Sequence, residues 1–306
     1  MPPLGRVWRL PDGCEPGVMR LHQRGGGDPA YRIEDGRHWR GIRTPHGPAT
    51  LVVWSRAALG EVHAEAWGPG AAWALGSVPG LLGADDDPAG FEPRHPLLIE
   101  LVRRHGVPRV GRTERVMEAL VPVVIEQKVT GREAFAGFRA LVHRFGERAP
   151  GPGADRRLWI QPDAETVRRV PSWEWLRMSV DPARGRTVVT AARVAPALER
   201  TLAVEFDEAA ARLTSLPGVG RWTAAETLQR AHGDPDAVSF GDYHVAKDIG
   251  WALTGEPFDD ERLEEFLEPY RPHRGRVQAL VARAGLRRPR RGPRMPPRTH
   301  LPATPR

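Results

Sequence analysis

The chain has 306 residues, of which 40% are hydrophobic and 27% charged, and its formal net charge is +7. This length suffices for about two domains, and no apolar run approaches the ~20 residues of a membrane span. The first residues, MPPLGRVWRLPDG, lack the apolar segment of a signal peptide. We therefore expect a cytoplasmic protein that makes no membrane contact.

The cysteine and lysine contents are both unusually low. A single cysteine, Cys14, excludes an intramolecular disulfide, a four-thiolate iron–sulfur cluster and the thiolate ligands of a zinc deaminase. Lys128 and Lys247 are the only lysines, so arginine supplies nearly all of the positive charge. A basic balance favours a polyanionic partner, but a genome rich in arginine codons would produce it as well.

The first predicted unit, over residues 1–80, is a small antiparallel sheet. The stretches YRIEDGRHWRGIRT and ATLVVWS alternate apolar with polar side chains, and Asp35-Gly36 is a typical hairpin turn. A Gly- and Pro-rich stretch follows before helical periodicity begins. The boundary of this β-rich N-terminal domain is therefore predicted between Trp73 and Phe91.

Residues 91–286 have helical periodicity almost throughout and predict an all-helical domain. Thr130 and Glu133 have capping-box spacing ahead of AFAGFRALVHRF. Asp207 is a candidate cap for EAAARLTS, and Pro272 is a candidate first-turn residue for HRGRVQALVARA. The fold class predicted for the whole chain is α+β.

Three smaller expectations concern the remaining helical segments and the C-terminus. The run PGPGADRR predicts a loop, and Trp173 and Trp175 are expected in the core. Residues 287–306 form a basic Pro/Arg tail that we expect to be disordered. Two alternatives stay open for it: binding to RNA or to DNA phosphates, or little function.

The most informative stretch runs from Asp207 to Thr254. It predicts a helix, the tight turn LPGVG, a second helix, a short loop and then DYHVAKDIGWAL. Gly218 and Gly220 lack Cβ, so the turn can adopt positive φ and its backbone can approach a phosphate. Free N–H groups at the start of the Arg221 helix favour an anion. The same turn would also serve as a plain helix connection.

Asp242 stands at the predicted N-cap of the next helix, about twenty residues beyond the turn, which is the separation that one helix and one loop require. An aspartate before a helix is most often only a cap. The helix N-terminus favours the ionised carboxylate in a capping role and in a catalytic role.

These motifs carry a family resemblance. LPGVGRWTAAETL followed by FGDYHVAK resembles the signature of the helix-hairpin-helix DNA glycosylases, in particular the 3-methyladenine DNA glycosylase II branch, and EALVPVVIEQKVTGREAF is similar to an early core helix of that family. The resemblance covers most of the chain. It implies a monomeric enzyme that removes damaged bases, with alkylated purines the first expectation, from double-stranded DNA.

The resemblance also implies a role for individual residues. Asp242 matches the catalytic carboxylate. The DNA contacts would come from the turn, at Pro217, Gly218, Val219, Gly220 and Arg221. The base pocket would be lined by Trp222, Gln127, Tyr243 and Glu226. No cofactor is expected, apart from a Na⁺ or K⁺ held by the backbone carbonyls of Thr214, Leu216 and Val219.

Two residues depart from the family pattern. Glu226 stands where well-known members have an aromatic residue one turn beyond Trp222, and Ala282 replaces another aromatic residue. We therefore expect a less aromatic pocket, in which Glu226 either accepts a hydrogen bond from the base or faces solvent. The choice among 3-methyladenine, 7-methylguanine, hypoxanthine and oxidised bases stays open.

The chemistry implied by the resemblance suits an ionised aspartate. Cleavage of the N-glycosidic bond builds oxocarbenium-like charge on the sugar, which a neighbouring carboxylate stabilises. Two alternatives remain: a non-catalytic helix-hairpin-helix DNA-binding protein, and an oxidised-base glycosylase with lyase activity. Lyase members carry a lysine where Trp222 stands, and Lys128, Lys247 and the Pro2 amine are not well placed. We therefore expect a monofunctional enzyme.

Overall fold

The computed structural model describes residues 2–289. Most of the predicted tail, residues 290–306, lies outside the described residues. Within residues 2–289, no helix is both long enough and apolar enough to span a membrane. The architecture is an antiparallel sheet followed by a mainly helical region, which confirms the predicted α+β class.

The N-terminal sheet has five antiparallel strands in the order β1-β5-β4-β3-β2. The strands are β1 (Leu4–Trp8), β2 (Tyr31–Glu34), β3 (Arg37–Thr44), β4 (Gly47–Arg56) and β5 (Glu61–Trp67). Asp35 and Gly36 both have positive φ and form the tight turn between β2 and β3, as their sequence predicts. This register places Glu34 opposite Arg37.

Each face of the sheet packs on a different part of the chain. One face shares a core with two short helices, α1 (Ala71–Gly76) and α2 (Val78–Leu81). The other face packs Trp39 and Val52 against residues 149–160 of the helical region. The predicted loop PGPGADRR is therefore wrong in part, because this segment contains a short helix flanked by a two-stranded ribbon that covers the sheet.

The remaining elements are mostly helices. They are α3 (Pro96–His105), α4 (Val116–Glu126), α5 (Gly131–Phe145), β6 (Glu147–Arg148), α6 (Pro152–Asp155), β7 (Trp159–Ile160), α7 (Ala164–Arg168), α8 (Ser172–Arg177), α9 (Pro182–Arg193), α10 (Ala195–Glu199), α11 (Phe206–Thr214), α12 (Arg221–Thr227), α13 (Val245–Thr254), α14 (Asp260–Leu267) and α15 (Arg274–Arg283). A single π-helical turn, Leu228–His232, continues α12.

The helices form two hydrophobic cores. The central core contains buried residues between Val116 and Ala237, whereas the C-terminal core joins Phe91, Leu98 and Leu101 to buried residues of the segment from 238 to 281. The chain passes from the central core to the C-terminal core at positions 237 and 238. This crossing lies between the LPGVG turn and Asp242, so the candidate site sits where the two cores meet.

Several local predictions about helix ends can be compared with the structure. The capping box of Thr130 and Glu133 is confirmed. Asp207 is not the cap predicted, because α11 begins one residue earlier, at Phe206. Pro272 is not in the first turn of its helix, since α15 begins at Arg274.

The two tryptophans of α8 differ in burial. Trp175 is buried in the central core as predicted, but Trp173 is 59% exposed, so the prediction of a core position for Trp173 is wrong. Trp173 and Trp175 are two residues apart on one helix, which turns their side chains toward different faces.

Candidate active site

The turn between α11 and α12 (residues 215–220, called the hairpin below) has two glycines with different geometry. Gly218 has a φ of +87°, and a Cβ there would lie 2.1 Å from the Thr187 hydroxyl oxygen, so both conformation and space require glycine. Gly220 has a φ of −98°, so positive φ is found at Gly218 alone. A Cβ on Gly220 would meet no atom within 4 Å.

The hairpin is anchored in the central core by one residue and is otherwise exposed to solvent. Val219 is buried in the central core, whereas Pro217, Gly218 and Gly220 are exposed. Among residues 2–289, no group accepts a hydrogen bond from the N–H of Gly218 or Gly220. Unpaired N–H groups in an exposed turn suit an anion.

Gln127 braces the hairpin from the end of α4. Its amide nitrogen donates to the Gly218 carbonyl at 2.9 Å and to the Thr223 hydroxyl at 2.8 Å. These two bonds use the amide donors of Gln127, which the resemblance assigned to the base pocket. The contacts of Gln127 therefore indicate that it holds the hairpin in place.

Arg221, the first residue of α12, is already paired. Its guanidinium donates to both Glu264 carboxylate oxygens, at 3.0 and 2.7 Å, and lies 4.0 Å from the centroid of the Phe240 ring. The hydrogen bond from Arg221 holds the pKa of Glu264 below its usual range. Any DNA contact by this side chain would have to compete with Glu264.

Asp242 ends a short loop, residues 238–242, called the aspartate loop below. Its Oδ1 accepts hydrogen bonds from the backbone N–H of His244 at 2.7 Å and of Val245 at 3.1 Å. The N-cap residue of α13 is His244, so Asp242 lies two residues before the position predicted for it. Its carboxylate nevertheless binds free N–H groups at the start of this helix. Its second oxygen, Oδ2, accepts no bond from any residue in the described range, and the residue is only half-buried. These hydrogen bonds therefore leave one oxygen available for chemistry.

Trp222 lies against the aspartate loop. A Cβ placed on Gly241 would be 3.8 Å from the Cβ of Trp222, which brings the first turn of α12 next to Asp242. The side chain of Trp222 is half-buried, and its indole nitrogen is buried without a hydrogen-bond partner in the described part of the chain. The segments that contain Trp222 and Asp242 therefore lie next to each other.

Glu226 does not face solvent, which was one of the two expectations for it. It is 9% exposed, its Oε1 accepts a short hydrogen bond from the Ser239 hydroxyl, and its Oε2 accepts from Arg230 at 2.6 Å. Burial alone would raise the pKa of Glu226, but Arg230, the Ser239 hydroxyl and Arg24 outweigh it and hold the pKa below its usual range. A buried, ionised carboxylate therefore lies one turn below Trp222.

Tyr243 lies on the surface. It is 69% exposed, and the Lys247 ammonium lies 3.7 Å from its ring centroid and donates to its backbone carbonyl at 3.1 Å. Ala282, the second departure from the family pattern, is also exposed. Tyr243 is therefore at the rim of the site, and the structure does not enclose it in a pocket.

Sequence reasoning missed Ser239 and Gln278. Ser239 is 1% exposed; its N–H donates to Gln278 Oε1 at 3.0 Å, and its hydroxyl oxygen accepts from Gln278 Nε2 at 2.9 Å. The only signal for Ser239 was its position three residues before Asp242. Nothing in the sequence pattern of α15 marks Gln278.

Comparisons with known proteins identify the fold. The solved structure of a 3-methyladenine DNA-glycosylase from Archaeoglobus fulgidus superposes with a TM-score of 0.75 at 20% sequence identity, covering 90% of this chain and 97% of that one. The apo 8-oxoguanine glycosylase/lyase of Clostridium acetobutylicum has a TM-score of 0.69 at 13% identity, covering 91% and 95%. The chain has the fold of the helix-hairpin-helix DNA glycosylases.

Sequence comparison agrees with the fold. A probable bifunctional transcriptional activator/DNA repair enzyme AlkA from Mycobacterium tuberculosis is 29% identical over 205 residues, which are 63% of this chain. The match spans 39% of the length of that curated relative. No protein-family model matches the chain. The resemblance found from the LPGVG and FGDYHVAK motifs is thus confirmed at the level of the glycosylase fold.

Proposed function

We propose that this chain is a monofunctional DNA glycosylase that hydrolyses the N-glycosidic bond of a damaged base flipped out of double-stranded DNA. The observation that carries the proposal is the meeting of three features within the glycosylase fold. An open hairpin offers unpaired N–H groups, Trp222 lies beside it, and Asp242 presents a free carboxylate oxygen at the same junction.

The hairpin would hold the DNA backbone. The N–H groups of Gly218 and Gly220 point to phosphate binding, and the open space at Gly220 allows close approach. Contacts of this kind position the protein without reading sequence. Pro217 and Val219 shape the turn, and Arg221 would add a phosphate contact only when released from Glu264.

Asp242 would carry the chemistry. A base inside a duplex is shielded, so the nucleotide must flip out, at a cost that is smallest for a damaged or mispaired base. As the bond to the base breaks, positive charge develops on the sugar, and Asp242 Oδ2 would stabilise that charge and orient or deprotonate the attacking water. Bonds from two backbone N–H groups to Oδ1 would keep the carboxylate oriented.

The base pocket would be built around Trp222. Its indole face would stack on the flipped base, a contact worth about 0.5–2 kcal/mol for a cationic base. This contact favours alkylated purines because these already carry positive charge, whereas the carboxylate of Glu226, one turn below, is paired with Arg230. Tyr243, at the rim, would contact the DNA beside the lesion, while Gln127 would act through the hairpin.

We propose that the carbonyls of Thr214, Leu216 and Val219 would hold a monovalent cation at the hairpin. In the part of the chain that the structure describes, the carbonyls of Thr214 and Val219 accept no hydrogen bond, and the Leu216 carbonyl accepts one, from the N–H of Val219 at 3.0 Å. Carbonyl oxygens suit a hard cation such as Na⁺ or K⁺. Bound there, the ion would add positive charge to a phosphate-binding turn.

A second candidate is an oxidised-base glycosylase, because the Clostridium protein with a similar fold is named an 8-oxoguanine glycosylase/lyase. A lyase step needs an amine that attacks the sugar carbon. Trp222 occupies the position at which lyase relatives carry lysine, and the Lys247 ammonium is directed toward Tyr243. We therefore propose base release without strand cleavage.

The test is a panel of duplex oligonucleotides, each with one lesion: 3-methyladenine, 7-methylguanine, hypoxanthine or 8-oxoguanine. We expect strand breaks only after alkali, strongest for an alkylated purine, and no covalent adduct when borohydride is added during turnover. Release of none of these bases would contradict the proposed function. An adduct lost in Lys247→Gln or Lys128→Gln would contradict monofunctional action. A cytoplasmic, monomeric enzyme remains a prediction.

A further inference from the structure

Ser239 links three elements through its polar groups. Its hydroxyl donates to Glu226 of α12, and it also accepts from Gln278 of α15, whose Oε1 takes the Ser239 N–H at 3.0 Å. The carbonyl of Ser239 accepts the N–H of Asp242 at 3.1 Å. The backbone of the aspartate loop is therefore attached to both helical cores through one buried serine.

Glu226, which accepts the hydrogen bond from the Ser239 hydroxyl, is buried and charged. Glu226 is buried on the second turn of α12, and Arg230 neutralises it through a 2.6 Å contact between side chains that are each 11% exposed. A buried charge is costly unless it is paired and hydrogen-bonded, and both carboxylate oxygens meet that condition. The pair would be replaceable by apolar side chains if packing were its only role.

We propose that Glu226, Ser239 and Gln278 are positioning residues for Asp242. The hairpin leads directly into α12, which carries Glu226, so the hydrogen bond from Ser239 fixes the catalytic carboxylate relative to the DNA-binding turn. Gln278 fixes the same serine to the C-terminal core. This inference rests on the proposed glycosylase function and gives Glu226 a role other than reading the base.

A positioning role and a base-reading role predict different kinetics. Misplacement of a catalytic group by about 1 Å can cost a hundredfold in rate without weakening binding. Such a loss applies equally to every lesion, because Asp242 acts on the sugar that all lesions share. Loss of a base contact instead changes the ratio of rates between lesions, since each lesion has a different set of donors and acceptors.

The experiment compares single-turnover excision by wild type, Ser239→Ala, Gln278→Leu and the double variant on two different lesions. Thr227→Val is the matched control. The Thr227 hydroxyl is also buried on α12, but it donates to the backbone carbonyl of Thr223 in the same helix, at 2.8 Å. Dissociation constants for a duplex with an uncleavable abasic analogue and thermal unfolding midpoints are measured beside the rates.

We expect Ser239→Ala to lower the rate constant by roughly ten- to a hundredfold, by the same factor for both lesions, with the dissociation constant unchanged. The double variant should lose no more than Ser239→Ala, because both changes act through one residue. Glu226→Gln, which keeps an acceptor for Ser239, should lose less than Glu226→Ala.

Four results would overturn the inference. If the wild-type enzyme releases bases and the variants do so at unchanged rates, the positioning role is refuted. If the ratio of the rate constants for the two lesions changes, Glu226 and its partners are assigned to base reading. Losses that multiply in the double variant and follow the unfolding midpoint assign them to stability alone. A wild-type chain that releases no base refutes the proposed function, and this inference with it.

Discussion

The hairpin and the aspartate loop are built in opposite ways. The hairpin presents backbone: its two glycines are exposed, and the N–H groups of these glycines have no hydrogen-bond partner among residues 2–289. The aspartate loop depends on side chains: Ser239 is buried and binds Glu226 and Gln278 from two different helices. A surface that binds any phosphate needs only backbone, whereas a carboxylate that acts on one sugar carbon must be fixed by its neighbours.

Gly218→Ala should have the largest effect on the hairpin. Alanine is strained at a φ of +87°, and its Cβ would overlap the Thr187 hydroxyl oxygen 2.1 Å away. We expect a loss of at least about 2 kcal/mol in the free energy of unfolding, together with loss of DNA binding. Chemical denaturation and a fluorescence binding assay measure the two quantities.

Gly220→Ala is the matched control for that prediction. Its φ of −98° is open to any residue, and the added Cβ meets no atom within 4 Å. We expect stability to change by less than about 1 kcal/mol and DNA affinity to fall, because the methyl group would occupy the approach of a phosphate. Unchanged affinity in Gly220→Ala would show that phosphates do not approach the hairpin there.

This contrast explains what the sequence predicted. Gly218 and Asp242 carry signals in the chain itself, as a glycine-rich turn and a carboxylate before a helix, so their places were predictable. Ser239 and Gln278 meet only in three dimensions, and neither residue type suggests the other. Trp173 was predicted wrongly because an aromatic residue near a helix start does not reveal which face packs inward.

Asp234 lies in the segment that joins α12 to the aspartate loop, and its ionisation is linked to the stability of the fold. Burial raises its pKa to about 6, assisted by nearby Asp236. A raised carboxyl pKa means that the folded state prefers the protonated form. Its stabilising contribution is therefore complete below the ordinary carboxyl pKa, near pH 4, and is lost as the pH rises through 6.

Asp234→Asn should consequently stabilise the fold above pH 6, by about 1–3 kcal/mol, and have little effect near pH 4. The asparagine amide oxygen can still accept a hydrogen bond from the N–H of Asp236, whose nitrogen lies 2.8 Å from Asp234 Oδ1 in the wild type. Urea denaturation across this pH range measures the difference, with the exposed Asp155→Asn as control. A gain that is the same at every pH would contradict the assigned titration.

Glu264→Gln should have the smallest effect, on the outer side of the hairpin. It removes the partner of Arg221, whose side chain is 55% exposed, so stability should change by less than about 1 kcal/mol. The freed guanidinium should tighten DNA binding a few-fold and steepen the salt dependence by up to about 0.9 on logarithmic axes.

Glu100→Gln provides the control for that measurement. It removes the same charge from α3, where Glu100 pairs with Arg103 and Arg104 on the same helix. We expect no change in the salt dependence for this variant. Equal slopes for wild type and Glu264→Gln would show that Arg221 does not reach a phosphate.

The most direct measurement is single-turnover base excision by Asp242→Asn, alongside its affinity for lesion DNA. Asparagine keeps an oxygen that can accept from His244 and Val245, so these hydrogen bonds and the fold should persist, while the charge proposed to stabilise the oxocarbenium-like sugar is lost. We expect excision to fall by about a hundredfold or more with DNA affinity unchanged or tighter. Excision that stays within about tenfold of wild type would contradict Asp242 as the catalytic carboxylate.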